Sequence, residues 1–105
     1  MSTDTNRARR VFAEGIEHLD CFLDCYKEGN DLEYSDFYVG ITNDVERRLF
    51  EEHELDEQSD DYESFDFESV DLARKAERVY LNQGLKGDTG GGNEDSSIVY
   101  IYFDA

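Results

Sequence analysis

The sequence contains no proline and only two cysteines. Because no proline separates its elements, helix and strand ends have to be located from glycines and capping residues. Cys21 and Cys25 lie four positions apart, a spacing that cannot staple a domain and that matches no common zinc motif. We therefore expect both to be small, reduced residues of the core.

Long apolar runs are also missing. No window approaches the roughly eighteen apolar residues of a membrane span, and the opening MSTDTNRARRVF lacks the apolar core of a secretory signal. We expect a cytoplasmic protein without membrane contact. The 105 residues predict one domain, 1–105, and a hydrophobic content of 38% is high enough for a folded core.

Basic residues are scarce. Ten Lys and Arg stand against 27 Asp and Glu, for a formal net charge of -17. At physiological salt such a field repels nucleic acid over roughly 8 Å. Three explanations stay open: phosphate binding that is local or absent, adaptation to a salt-rich cell, or an acidic surface that is itself the function.

Helical spacing of apolar residues predicts an N-terminal helical extension, 1–19. The segments LDCFLDCY (19–26) and DFYVGIT (36–42) read as two strands of a β-hairpin. Asn43 or Asp44 would then cap a helix over 45–53.

The second half of the chain alternates strand and helix signals. A strand is expected around Phe65, followed by a helix that Ser69 caps and Gly84 ends. Its predicted buried residues are Leu72, Ala76, Val79 and Tyr80. A glycine-rich loop (84–97) leads to SIVYIYF, an interior strand. The expected fold is a small α+β domain with a central sheet of three to four strands and helices packed on it.

The stretch FYVGITNDVERRLFEEH resembles the core of the GIY-YIG nuclease domain family. Tyr38, Val39 and Gly40 stand in the place of the YIG element, and Arg48 falls where the family's helical arginine is expected. Glu77, in LARKAERVYLNQ, stands where a later helix carries the metal-binding glutamate. The resemblance covers roughly residues 20 to 87.

The resemblance implies a GIY-YIG-like fold and a metal-dependent endonuclease that hydrolyses phosphodiester bonds in DNA. Tyr38 would act in proton transfer, Arg48 would bind the phosphate, and Glu77 would hold Mg²⁺ or Mn²⁺. These residue types suit that chemistry, which needs a deprotonated nucleophile, a cation for the phosphoryl oxygens and a divalent ion for the leaving oxygen.

Three further residues belong to the implied site. The family's second tyrosine is expected across the hairpin from Gly40, and Tyr26 is the nearest candidate. Asn93, in the glycine-rich loop, would be a polar residue near the metal, and His53 matches a histidine that recurs in the family's helix. The simpler interpretations are a flexible loop for Asn93 and a capping or packing role for His53.

A second function class fits the charge. The same scaffold without catalysis would be an acidic DNA mimic, from a phage or mobile element, whose carboxylates between Glu51 and Glu68 stand in for phosphates and block a basic host or defence protein. The oligomeric state stays open.

Overall fold

Two helices and three strands of the described residues form one sheet with a helical layer. A computed structural model describes residues 3–28, 32–44, 62–87 and 96–103. Within them the order is α1 (Thr3–Lys27), β1 (Phe37–Thr42), β2 (Tyr62–Asp66), α2 (Val70–Gln83) and β3 (Ile98–Phe103), with a 3₁₀ turn at Tyr34–Asp36. The predicted α+β class is confirmed.

The sheet is antiparallel, with β3 between β1 and β2. The predicted interior position of the last strand is therefore confirmed. A short parallel bridge lies on the edge of β1 away from β3, where Val39 N donates to Lys86 O and Lys86 N donates to Phe37 O, each at 2.8 Å. This bridge gives the sheet a fourth, parallel member directly after α2.

Helix α1 corrects the predicted hairpin. The segment 19–26 is helical and not a strand, and β1 pairs with β3 instead. Leu19 and Leu23 lie four positions apart and are both buried, so the 3.6-residue helical period governs this segment. Leu19 and Leu23 lie on the buried side of α1, and Cys21 and Cys25 are exposed as free thiols. The prediction that the two cysteines are core residues is therefore wrong.

Helix α2 begins and ends as predicted. The Ser69 side chain accepts a hydrogen bond from Leu72 N at 3.4 Å, and Gly84 adopts the left-handed conformation, φ 114°, that ends the helix. Of the predicted inward residues, Ala76 and Tyr80 are buried, while Leu72 and Val79 are half-buried. Ala73 and Glu77 are buried as well.

Both helices pack on one face of the sheet. The core combines apolar residues of both helices with the helix-facing residues of β1 and β3, which are Phe37, Val39, Ile41, Val99 and Ile101. Because side chains alternate along a strand, the residues between these point to the opposite face.

Several predicted segments lie outside the described residues. They are the helix 45–53, the acidic connection 54–61 and positions 88–95 of the glycine-rich loop. Among the described residues, no helix combines the length and apolar character needed to cross a bilayer.

Candidate active site

Four tyrosines from the three strands form a separate cluster on the sheet face opposite the helices. The ring of Tyr38 stacks on Tyr102 at a centroid distance of 5.3 Å, and Tyr100 lies 6.4 Å from Tyr38. Tyr62 pairs with Tyr102 from the other side of β3. Tyr100 and Tyr102 are buried, while Tyr38 and Tyr62 at the two sheet edges are half-buried.

The ring of Tyr100 packs directly against the backbone of Gly40 in β1. It pairs with Tyr100 across the antiparallel register. A β-carbon at position 40 would overlap the hydroxyl oxygen and the ring of Tyr100. The glycine is therefore required because an aromatic ring crosses the strand at this position.

Tyr26 does not take the place expected for the second tyrosine. It lies on α1, with its ring 5.2 Å from that of Phe103 and 5.7 Å from that of Phe37, both on the helix-facing side of the sheet. Tyr38 points to the other face, so the two phenols expected to meet across a hairpin are separated by the sheet.

The residue opposite Gly40 is instead Tyr100, which comes from the far end of the chain. The sequence does not predict Tyr100 as the partner of Gly40, because the predicted hairpin places that partner in the segment before β1. One signal was available. In SIVYIYF the tyrosines at positions 100 and 102 alternate with Val99 and Ile101, which indicates a strand with an aromatic face.

Glu77 lies on the inward side of α2 and is only 5% exposed. Leu81, one turn later, lies next to Gly87 and Val39, because a β-carbon at position 87 would meet its side chain and the Val39 carbonyl oxygen. Residues four apart share a side of a helix, so Glu77 belongs to the side of α2 that is directed towards β1, near the edge that pairs with Lys86. Tyr38 lies on the same edge, where it is bridged to Lys86.

The chemistry of Glu77 suits the metal that the sequence implies. A buried carboxylate is costly unless it is paired, hydrogen-bonded or bound to a metal. Mg²⁺ is commonly held by one or two carboxylates, with water filling the rest of its shell. In the part of the chain that the structure describes, no group of three or more His, Cys, Asp and Glu side chains is arranged around a metal position.

Three predicted site residues, Arg48, His53 and Asn93, lie outside the described residues. The segment that carries Arg48 begins at the end of β1. There, Asp44 N donates to Thr42 Oγ1 at 3.0 Å, and the Thr42 hydroxyl donates to the Asp44 carbonyl oxygen at 3.2 Å. These two hydrogen bonds close a turn directly after β1.

Basic residues concentrate on the helical side of the molecule. Seven of the ten Lys and Arg residues lie on the two helices, at positions Arg7, Arg9, Arg10, Lys27, Arg74, Lys75 and Arg78. The two helices are in contact, since Lys75 Nζ lies 4.6 Å from the Phe12 ring centroid, and Arg7 of α1 pairs with Glu68 just before α2. These cations lie on the helical layer, and the tyrosine cluster lies on the opposite face of the sheet.

Comparisons of the chain with protein-family models, with curated proteins and with solved structures find no significant match. Function is therefore inferred from the chemistry of the site. Its described candidate residues are Tyr38 and Tyr100 around Gly40, on the sheet face opposite the helices, and Glu77, whose carboxyl group is buried on the helical side.

Proposed function

We propose that the protein is a small metal-dependent endonuclease that hydrolyses phosphodiester bonds in DNA, as its resemblance to the GIY-YIG nuclease domain implies. The observation that carries the proposal is the pair of phenols around Gly40. Tyr100 crosses the glycine and Tyr38 lies beside it, so two proton-carrying groups share one small region of the sheet.

The pair suits proton transfer from the attacking water. Tyr38 is half-buried and so keeps contact with solvent, whereas Tyr100 is fully buried behind it. A phenol can both donate and accept a hydrogen bond, so Tyr38 can accept the proton of the attacking water as it passes its own phenol proton to a second water, while Tyr100 fixes its ring. The water oxygen attacks phosphorus, the bond to the leaving oxygen breaks, and that oxygen takes a proton from solvent.

Arg48 and Glu77 would stabilise the negative charge of the phosphate and of the leaving oxygen. Arg48 keeps its charge at every relevant pH, and its forked donors fit two phosphoryl oxygens at once. Glu77 would hold Mg²⁺ or Mn²⁺, with Asn93 and His53 as polar support near the metal and the phosphate. A bound divalent ion would stabilise the negative charge that develops on the leaving oxygen.

The charge of -17 sets the conditions for activity. At molar ionic strength the Debye length falls to about 3 Å, so repulsion between the protein and DNA weakens while short contacts persist. We therefore expect cleavage to require high salt if the composition is a salt adaptation. DNA and Mg²⁺ are both available in the cytoplasm, where we place the protein.

A plasmid-cleavage assay with Mg²⁺ or Mn²⁺, from low to molar salt, tests the proposal. Glu77→Gln keeps the shape of the side chain and removes its charge, and Arg48→Ala removes the phosphate contact. Asp71→Asn, an exposed carboxylate of the same helix, and Arg47→Ala are the matched controls. We expect cleavage by the parent and both controls, and its loss in the other two variants.

The same assay separates the proposal from the DNA mimic. A mimic would cleave nothing under any of these conditions and would bind a basic DNA-binding protein tightly. That pair of results would replace the nuclease with an inhibitor of a host or defence protein.

A further inference from the structure

The two cysteines lie next to each other on the exposed side of α1. Both are free thiols, and both line a groove of about 650 Å³ along this helix. Residues four apart on a helix stand one turn above each other, with their β-carbons about 5–6 Å apart. Hydrogen bonding to Cys21 is the largest contribution that raises the pKa of Cys25, and this contact brings the two sulfur atoms together. The helix therefore presents a pair of thiols and not two isolated ones.

Two carboxylates lie beside this pair of thiols. Asp24 follows Cys21 by three positions, Glu28 follows Cys25 by three, and both carboxylates line the same groove. Both also act electrostatically on the Cys25 thiol. Positions 21, 24, 25 and 28 have the helical spacing i, i+3, i+4 and i+7, so each side chain has two of the others as neighbours. These four residues form one thiol–carboxylate cluster on the surface of α1.

We propose that the thiol–carboxylate cluster binds one Zn²⁺ ion. Cys21 and Cys25 supply thiolate sulfur, and Asp24 and Glu28 supply carboxylate oxygen. Both are common zinc ligands, and four of them fill a tetrahedral shell. Each thiol gives up its proton to solvent as its Zn–S bond forms. The site is separate from the carboxyl group of Glu77 and does not depend on the proposed nuclease activity.

The spacing of the cysteines suits zinc because the segment is a helix. In the His-Glu-x-x-His motif, two helical ligands at i and i+4 bind the same Zn²⁺, so one helical turn is enough to chelate the ion. A Zn–S distance of about 2.3 Å in a tetrahedral shell requires the two sulfur atoms to lie about 3.8 Å apart. Two thiols in hydrogen-bonding contact are already close to that separation.

Charge and ligand type together select the kind of ion. Two thiolates carry two negative charges, which a divalent cation neutralises. A monovalent soft ion such as Cu⁺ would leave a negative charge among the neighbouring carboxylates, and like charges at that distance repel. Mg²⁺ and Ca²⁺ prefer oxygen ligands and do not suit the two sulfur atoms. Zn²⁺ is divalent and accepts both sulfur and oxygen.

The four side chains have to turn towards one another when the ion binds. Among the described residues, no three such donors already surround a common metal position. All four side chains are exposed, and exposed side chains change rotamer within nanoseconds, so the carboxylates can turn towards the thiols. Ordering these side chains opposes binding. We therefore expect a dissociation constant in the micromolar range, weaker than that of a preformed structural zinc site.

Titration of the reduced, untagged protein with Co²⁺ and then with Zn²⁺ tests the proposal, because the absorption spectrum of Co²⁺ reports its geometry and ligands. We expect one ion per chain, the visible spectrum of tetrahedral Co²⁺ and a sulfur-to-cobalt band in the ultraviolet. Both signals should disappear when Zn²⁺ displaces Co²⁺. Sedimentation velocity should give the same particle mass with and without Zn²⁺, since all four ligands belong to one helix.

Substitutions in the groove separate ligands from general negative charge. Cys21→Ser and Cys25→Ser should each raise the dissociation constant for Zn²⁺ at least about tenfold and remove the tetrahedral spectrum. Asp24→Asn and Glu28→Gln should each raise it about tenfold. Glu17→Gln is the matched control, because Glu17 lines the same groove but is two turns away from Cys25. It should change the constant by less than about twofold.

Circular dichroism checks that each variant is folded, which we expect because all the substituted side chains are exposed. Four results would each overturn the proposal. They are no binding up to about 1 mM Zn²⁺, a Co²⁺ spectrum without tetrahedral and sulfur bands, an ion shared by two chains, and equal effects of Glu17→Gln and Glu28→Gln.

Discussion

The ring of Tyr100 lies over Gly40, in the space that a β-carbon at position 40 would occupy. The two residues are register partners in neighbouring strands, although sixty positions separate them in sequence. This contact joins the segment that resembles a nuclease motif to the last strand of the chain. It also places a second phenol beside Tyr38.

Gly40→Ala should destabilise the protein by about 1–3 kcal/mol, because the added methyl group forces the Tyr100 ring out of place. Urea unfolding measures the change. In the double variant Gly40→Ala with Tyr100→Ala the ring is gone, so the penalty for the alanine should largely disappear. Additive effects of the two substitutions would show that the ring and the glycine do not interact.

Leu23→Ala should destabilise by about 2–5 kcal/mol, since a fully buried leucine leaves a cavity in the core. Cys25→Ala, two positions later on the exposed side of α1, should change stability by less than about 0.5 kcal/mol. Thermal or urea unfolding of both variants checks the contrast. Equal losses would contradict the orientation of α1.

The Tyr80 hydroxyl joins the two helices, donating to Asp20 Oδ1 at 2.9 Å and lying 3.2 Å from the Ile16 carbonyl oxygen. Tyr80→Phe should therefore cost about 1–2 kcal/mol at neutral pH. Circular dichroism during urea unfolding measures it. A variant as stable as the parent would show that the hydroxyl adds nothing to helix packing.

The same side chain predicts a pH dependence. Burial, with a smaller contribution from Asp20, raises the pKa of Tyr80 in the folded protein. Its contribution to stability is therefore complete below the unfolded tyrosine pKa of about 10, and is lost as the pH rises above that value. The difference in unfolding free energy between the parent and Tyr80→Phe should shrink above about pH 10. A constant difference would contradict this linkage.

Local signals in the sequence predicted α2 and β3 well. Ser69 and Gly84 mark the ends of the helix with residue types suited to those positions, and the apolar run of the last strand indicates its interior place. The segment 19–26 was predicted wrongly because LDCFLDCY supports both a two-residue and a four-residue period. Packing of Leu19 and Leu23 against the sheet decides between them.

The candidate site was predictable only in part, because part of it depends on tertiary packing. Tyr38, Gly40 and Glu77 lie in segments whose local patterns were clear. The partner of Gly40 depends on which strand lies beside β1, and a pairing across sixty residues leaves no local trace in the sequence. The burial of Glu77 likewise follows from the packing of α2 and not from its neighbours in the chain.

The most direct measurement compares two tyrosines that flank the same ring. Tyr38 and Tyr62 both pair with Tyr102, at opposite edges of the sheet, and only Tyr38 lies beside Tyr100 and Gly40. The rate of plasmid cleavage with Mg²⁺ or Mn²⁺ should fall by about a hundredfold or more in Tyr38→Phe, and stay near that of the parent in Tyr62→Phe. Equal rates for the two variants, or no cleavage by the parent at any salt concentration, would contradict a phosphodiesterase centre at Tyr38.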